Sequence, residues 1–340
     1  MNLLKLNTKD IAIDLGTTNV IVSVSGRGIV LTERNLVAKN PLTGEIIAVG
    51  NKANDLLNAF SENIVGIEPF FGGKIVNLEA AEYLIKYMTH KIFQRYGIAK
   101  PRVLVSVPNQ ISEVEERAIV ALMLHSGAKE VYLVNSIFAG ALGIGIDISK
   151  PEGNMILDIG EGKAELAIIS LMGLVNIKKL EYSGSQMNEE IIEYLKRSKA
   201  IAITKDQATN LRRELGSAER LVSEIEIEID GRDVETGVPK KAKISSKDIE
   251  YSMRDSVSNL VESTKNMLVE TPPELLTDIY KNGINIIGSG AKIRNLDNVI
   301  ASKTNVKTYI STELNAVAQG LSKIINRIDD YKEIIRTNKE

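Results

Sequence analysis

The sequence has no cysteine and only two histidines, His90 and His125. Without cysteine there is no disulfide, no thiolate zinc site, no iron–sulfur cluster and no thiol nucleophile. Two histidines exclude a multi-histidine metal site, and a serine–histidine triad would have to use one of them. No apolar run reaches the roughly 18 residues that a membrane-spanning helix needs. The first residues, MNLLKLNTKD, show neither an apolar h-region nor a small-residue cleavage site, so no secretion signal is expected. The formal net charge is −2 and no stretch is strongly basic, so nucleic acid is not expected as a partner. What is present is an ordinary mixture, 44% apolar and 25% charged, over 340 residues. With no membrane span and no secretion signal, that mixture predicts a soluble, cytosolic protein, and the length predicts two domains.

The first readable element is residues 9–25, KDIAIDLGTTNVIVSVS. Ile11, Ile13 and Leu15 recur at period two, the spacing of a strand. Gly16-Thr17-Thr18-Asn19 interrupts it, a second strand follows, Gly26-Arg27-Gly28 interrupts again, and a third strand begins. The pattern is an antiparallel meander. It returns at residues 154–181, NMILDIGEGKAELAIISLMGLVNIKKLE. In both copies an aspartate, Asp14 or Asp158, ends an apolar strand directly before a small-residue turn. A repeat of this kind predicts two homologous domains whose turns face a shared cleft.

Between and after the repeats the spacing predicts a strand over 102–107 and a helix from the capping box Ser112-x-x-Glu115 to about Gly127. A short strand at 131–134 and a closely packed, glycine-bearing helix at 137–146 follow. In the second half, Met187, Ile191, Ile192 and Leu195 mark one helix face. Further helices are expected over 205–217, 246–270 and 313–327. A half-exposed strand carries Ile225, Ile227 and Ile229 between glutamates that form a solvated face. The last dozen residues read as a charged, frayed tail. His90 and His125 have no partners at useful spacing and read as surface or helix-end residues.

A D-x-G turn between antiparallel strands can hold phosphate. Backbone N–H groups at Gly16, Thr17, Thr18 and Asn19 would point outward, and Asp14 could hold a divalent cation through water. This differs from a Walker A loop, which carries a lysine and leads into a helix. The second aspartate turn would clamp the same nucleotide from the other side. Gly288-Ser289-Gly290 follows a buried strand, and such a turn lets a base or ribose approach the backbone closely.

These strings together resemble the MreB family of bacterial actins, within the actin/Hsp70/hexokinase superfamily. The matching segments include DLGTTN at 14–19, GRGIVLTE at 26–33, VPNQISEVEERA at 107–118, ELGSAE at 214–219 and TPPELLTDIYKNGINIIGSGAKIRNLD at 271–297. The resemblance runs in collinear order over nearly the whole chain. It implies an actin-like fold with two homologous α/β lobes, residues 1–150 and 151–312, and a nucleotide cleft between them. Small insertions are expected at about 30–75 and 186–254. Residues 313–340 would return to the first lobe as a helix and tail. It implies ATP or ADP with Mg²⁺ as cofactor, and homopolymer filaments of cytoskeletal function in cell shape or cell-body mechanics. Position by position, Asp14, Gly16, Thr17, Thr18 and Asn19 match the first phosphate loop. Asp158, Gly160, Glu161, Gly162 and Lys163 fall on the second, with Asp14 and Asp158 beside Mg²⁺. Gly184 falls on a further small turn near the phosphates. Arg212 and Glu214 fall where ribose and adenine are held, and Gly288, Ser289 and Gly290 on the adenosine motif.

Two departures from the family pattern bear on hydrolysis. The family's water-orienting glutamate falls on Ser136. The second loop, usually Asp-Ile-Gly-Gly-Gly-Thr-Thr-Glu, here reads Asp158-Ile159-Gly160-Glu161-Gly162-Lys163-Ala164-Glu165. A serine cannot accept a proton at neutral pH, and Lys163 is a donor only, able to bind a γ-phosphate directly. Glu161 would repel phosphate unless it points away or pairs with Lys163. ATP hydrolysis is therefore expected to be weak. Two other classes share the superfamily: a sugar kinase, which needs a catalytic aspartate string that is not visible, and an Hsp70-like chaperone, which needs a following substrate domain. Attachment to the inner membrane surface is expected through Met1, Leu3, Leu4 and Leu6 together with the loop 95–100, whose Ile98 would face lipid. Other MreB-like or cytoskeletal proteins are further expected partners.

Overall fold

A computed structural model of the chain describes residues 9–59 and 64–337. The described chain falls into two compact units. One consists of the residues up to Ile148 together with those from Asn315 onward; the other is Ser149–Leu314.

In the first unit, β1 (Ile11–Leu15), β2 (Asn19–Val24) and β3 (Gly28–Arg34) form the antiparallel meander read from the sequence. β4 (Arg102–Val107) joins β1 in parallel and β5 (Glu130–Asn135) joins β4 in parallel. Ile11, Ala12, Ile13 and Leu15 are all buried, as in a strand covered on both faces. Helices Leu78–Tyr96 and Glu113–His125 bury Leu84, Met88, Ile119 and Met123 in the same core. The second starts at the expected capping box: Ser112 accepts from the Glu115 N–H, and the Glu115 carboxylate accepts from the Ser112 N–H. Helix Ser136–Gly143 leaves β5 directly and packs on helix Ala316–Asn326. A small three-stranded sheet, Ile46–Val49, Val37–Lys39 and Val65–Ile67, lies within the expected insertion.

Two expectations change here. The charged tail is ordered through Thr337: a 3₁₀ segment, Ile328–Ile334, leads to a strand, Ile335–Thr337, that pairs antiparallel with β5. Buried Ile328 and Ile334 anchor it, two apolar residues that the charge around them hides in the sequence. Ile98 is 7% exposed and belongs to the core, so the loop 95–100 does not offer it to lipid. Met1, Leu3, Leu4 and Leu6 lie outside the described residues.

The second unit repeats the plan. β6 (Asn154–Ile159), β7 (Ala164–Ser170) and β8 (Gly173–Leu180) form the meander. β9 (Ile284–Ile287) and β10 (Thr308–Ile310) extend the sheet in parallel from β6. The order β8-β7-β6-β9-β10 matches β3-β2-β1-β4-β5 strand for strand. Helices Gly184–Lys199 and Lys205–Leu215 follow, with a sheet of Ile201–Ala202, Glu226–Asp233 and Pro239–Ser245. The single helix expected at 246–270 is two, Ser246–Ser252 and Arg254–Val269. They meet at Met253, which leaves helical geometry (φ −97°, ψ 3°) with its side chain fully buried.

Candidate functional site

The first loop is the four-residue turn Gly16–Asn19 between β1 and β2, where Leu15 pairs with Val20. Asp14 stands at the end of β1, and its Oδ1 accepts from Ser106 Oγ of β4 at 2.7 Å. The turn is tied down from behind. The Asn35 side chain donates to the Thr17 carbonyl at 2.8 Å, the Asn35 N–H donates to the Thr18 carbonyl at 3.0 Å, and the Gly72 N–H donates to the Thr17 hydroxyl at 2.9 Å. Asn35 is 2% exposed and also holds both backbone groups of Phe70. Sequence reasoning missed it. A polar residue just after a strand gives no periodic signal, although burial of an amide requires such partners.

The second loop is the matching four-residue turn Gly160–Lys163 between β6 and β7, with Ile159 opposite Ala164. The Gly160 N–H donates to the Lys163 carbonyl at 2.8 Å. Asp158 and Glu165 are direct cross-strand partners, and both are buried. Lys163 answers them: its Nζ lies 3.3 Å from Asp158 Oδ2 and 2.5 Å from Glu165 Oε2. Burial works against the charge on Lys163, but the two carboxylates outweigh it and hold its pKa above the ordinary lysine value. Burial also pushes the Asp158 carboxyl up, against the pull of Lys163. Lys163, expected to reach a γ-phosphate, is thus engaged by two carboxylates. Glu165 was not singled out from the sequence, although a charged residue inside AELAIIS marks a buried strand position needing a partner.

Glu161 does not pair with Lys163. Its carboxylate meets Arg212 Nη2 at 2.6 Å and accepts from the Asn188 side chain at 2.8 Å. Arg212 Nε donates in turn to Asn188 Oδ1 at 2.8 Å, closing a three-residue ring. Arg212 is 3% exposed, so the guanidinium expected at the ribose and adenine is committed to Glu161 and Asn188. Gly184 begins helix Gly184–Lys199, and its N–H donates to the Gly160 carbonyl. A Cβ there would lie 2.6 Å from Glu161 Oε2 and 2.8 Å from Arg212 Nη2, so the ion pair needs a glycine at 184. The Glu161 backbone carbonyl accepts from the Ser185 N–H at 2.7 Å in the first turn of that helix.

Of the remaining positions, Ser136 is the first residue of helix Ser136–Gly143 and is 3% exposed. Asn135 caps that helix, accepting from the Ile137 N–H at 2.8 Å. Gly288 follows β9 with φ +92°, beside Asp158 and the Ile159 carbonyl, and Ser289–Lys292 form a 3₁₀ turn with exposed Ser289 and buried Gly290. Glu214 is exposed near the end of helix Lys205–Leu215. Asp158, Gly160–Lys163, Gly184, Arg212 and Gly288 thus come together in the second unit, while Asp14 and Gly16–Asn19 form the loop of the first.

The expected Mg²⁺ can be tested against Asp158. Lys163 already holds Oδ2, and Oδ1 faces Gly288, where a side chain would come within 2.7 Å and glycine carries none. Among the described residues no group of three or more histidine, cysteine or acidic side chains could hold a metal. The ammonium on Oδ2 is a like charge beside any divalent cation at Asp158, so this carboxylate as it stands fits one poorly.

The model of the MreB/Mbl protein family matches residues 8–333. Cell shape-determining protein Mbl of Bacillus subtilis is 34% identical over 322 residues, covering 94% of this chain and 97% of its own. Cell shape-determining protein MreB of Escherichia coli is 34% identical, covering 95% of this chain and 94% of its own. Among solved structures, MreB5 of Spiroplasma citri bound to ADP superposes with a TM-score of 0.88 at 33% identity, over 96% of this chain and 98% of that one. A MamK double helical filament, at 16% identity and TM-score 0.78 over 94% and 98% of the two chains, shares the fold. The duplicated strand plan, the paired aspartate turns and a family match over nearly the whole length converge: this chain belongs to the MreB/Mbl family of actin-like, cell shape-determining proteins.

Proposed function

We propose that this chain binds an adenine nucleotide, assembles into filaments with copies of itself, and hydrolyses ATP weakly. The solved MreB5 structures bound to ADP and AMPPNP, at 33% identity, support the nucleotide. In this chain the turns Gly16–Asn19 and Gly160–Lys163 supply backbone amides for phosphate oxygens. Gly288 and Gly290 give the adenosine a close backbone approach.

The observation that carries the weak-hydrolysis part is the pair Ser136 and Lys163. Hydrolysis needs a water held in line with the γ-phosphate and a group to take its proton. The Ser136 hydroxyl is a poor base, and Lys163 is a cation already held by Asp158 and Glu165. Losing such positioning costs roughly two to three orders of magnitude in rate, or about 3–4 kcal/mol of barrier.

Filament growth would use head-to-tail contacts that do not close into a ring. The proposed location is the cytoplasm, on the inner face of the membrane, with other cytoskeletal proteins as partners. Sedimentation with and without nucleotide, run beside phosphate release, tests the proposal. Nucleotide-dependent pelleting with phosphate release at least about a hundredfold slower than an intact-motif relative is expected. A soluble chain under all nucleotides, or release as fast as that relative, would overturn it.

A further inference from the structure

The Asp158–Lys163–Glu165 cluster bears on the metal. Asp158 and Glu165 lie directly opposite each other on β6 and β7, at 4% and 2% exposure. Two like charges facing each other across a ladder repel, and a low-dielectric surround strengthens the repulsion. Something positive must sit between them. In the first unit the matching position opposite Asp14 is Ile21, and Asn19 stands where Lys163 stands, so no such demand arises there. In the second unit the lysine of the loop itself meets the demand, bridging both carboxylates.

The geometry points to a phosphate loop whose two facing carboxylates are bridged by the Lys163 ammonium in place of a divalent cation, so that nucleotide binding by this chain is nearly independent of Mg²⁺. The inference rests on the nucleotide-binding reading above. A hydrated Mg²⁺ brought to Asp158 would meet the ammonium on Oδ2, a like charge. The cluster as built carries one net negative charge. Removing the ammonium leaves two buried carboxylates, the charge that one divalent ion balances. Lys163→Thr therefore creates a demand for metal that the parent lacks.

The test is the affinity for a fluorescent ADP analogue, measured in excess EDTA and again in millimolar Mg²⁺. For the parent the two dissociation constants should agree within about threefold, while Mg²⁺ tightens binding to Lys163→Thr by about tenfold or more. Asp158→Asn provides a second variant that leaves Lys163 paired with Glu165, and its Mg²⁺ effect should equal the parent's. A parent that Mg²⁺ tightens about tenfold or more overturns the inference, as does an Mg²⁺ effect in the parent that Asp158→Asn removes. A Lys163→Thr variant that folds and stays insensitive to Mg²⁺ overturns the role given to Lys163. Absence of binding under both conditions instead removes the nucleotide reading itself.

Discussion

At the scale of single residues, the second loop is a set of charges that answer one another. Glu161 replaces a glycine of the family pattern, and its carboxylate is taken up by Arg212 and Asn188. Removing one member of a buried pair leaves the other charge without compensation. Arg212→Met is therefore expected to lower the unfolding free energy by about 3 kcal/mol, read from a urea titration, and Glu161→Gly in the same chain should return part of that loss. Asp233 gives a pH-dependent counterpart. The Thr236 N–H, the Lys240 ammonium and the Thr236 hydroxyl all favour its charged form, lowering its pKa from 3.8 to about 2. A carboxyl depressed in the folded state adds stability above its unfolded value and loses it as pH falls through the folded one. The Asp233 carboxyl signal in an NMR titration should move with a midpoint near 2, and Asp233→Asn should remove this group's share of the acid loss below about pH 4. A midpoint at the ordinary aspartate value would show that the turn 233–237 does not hold it.

At the scale of elements, close packing decides which substitutions the fold tolerates. Helices Ser136–Gly143 and Ala316–Asn326 cross so closely that a Cβ on Gly143 would strike the Ala316 carbonyl, and one on Gly320 the Ala139 carbonyl. Both obstacles are backbone, which cannot rotate aside. Gly320→Ala should therefore destabilise by about 3 kcal/mol or more, seen as a lowered melting temperature, although alanine is the better helix former. An unchanged melting temperature would mean that the two helices separate freely. The meanders, the strand at 102–107 and the capping box at Ser112 were legible because period two, period 3.6 and the cap each write a local pattern. The close helix crossing was half legible, since glycines in an apolar run signal contact without naming the partner. The break at Met253 was not legible: a methionine fits a helix everywhere, and tertiary burial chose the bend. In the site, both aspartate turns could be read because duplication doubled the signal. The Glu161–Asn188–Arg212 ring and the Asn35 anchor join residues far apart in sequence, and no spacing rule reaches them.

At the scale of the whole molecule, the substitutions at 136 and 163 separate assembly from turnover. In a filament whose subunits hydrolyse quickly, ATP and a non-hydrolysable analogue give different lifetimes, because the hydrolysed subunit is the one that leaves. Here the chemical step is proposed to be slow, so the two nucleotides should give filaments that shrink at the same rate after dilution, followed by light scattering. Restoring the family residues is more demanding than exchanging two side chains. Lys163→Thr removes the charge between Asp158 and Glu165, so Ser136→Glu with Lys163→Thr should melt below the parent even where it hydrolyses faster. Adding Glu165→Gln brings the charge of positions 158, 163 and 165 back to that of the parent and should recover part of the melting temperature. Among these variants, the gap between ATP and analogue lifetimes should open in step with the phosphate-release rate. If the parent's ATP filaments already shrink about tenfold faster than its analogue filaments, hydrolysis drives their turnover and the altered loop is a working one.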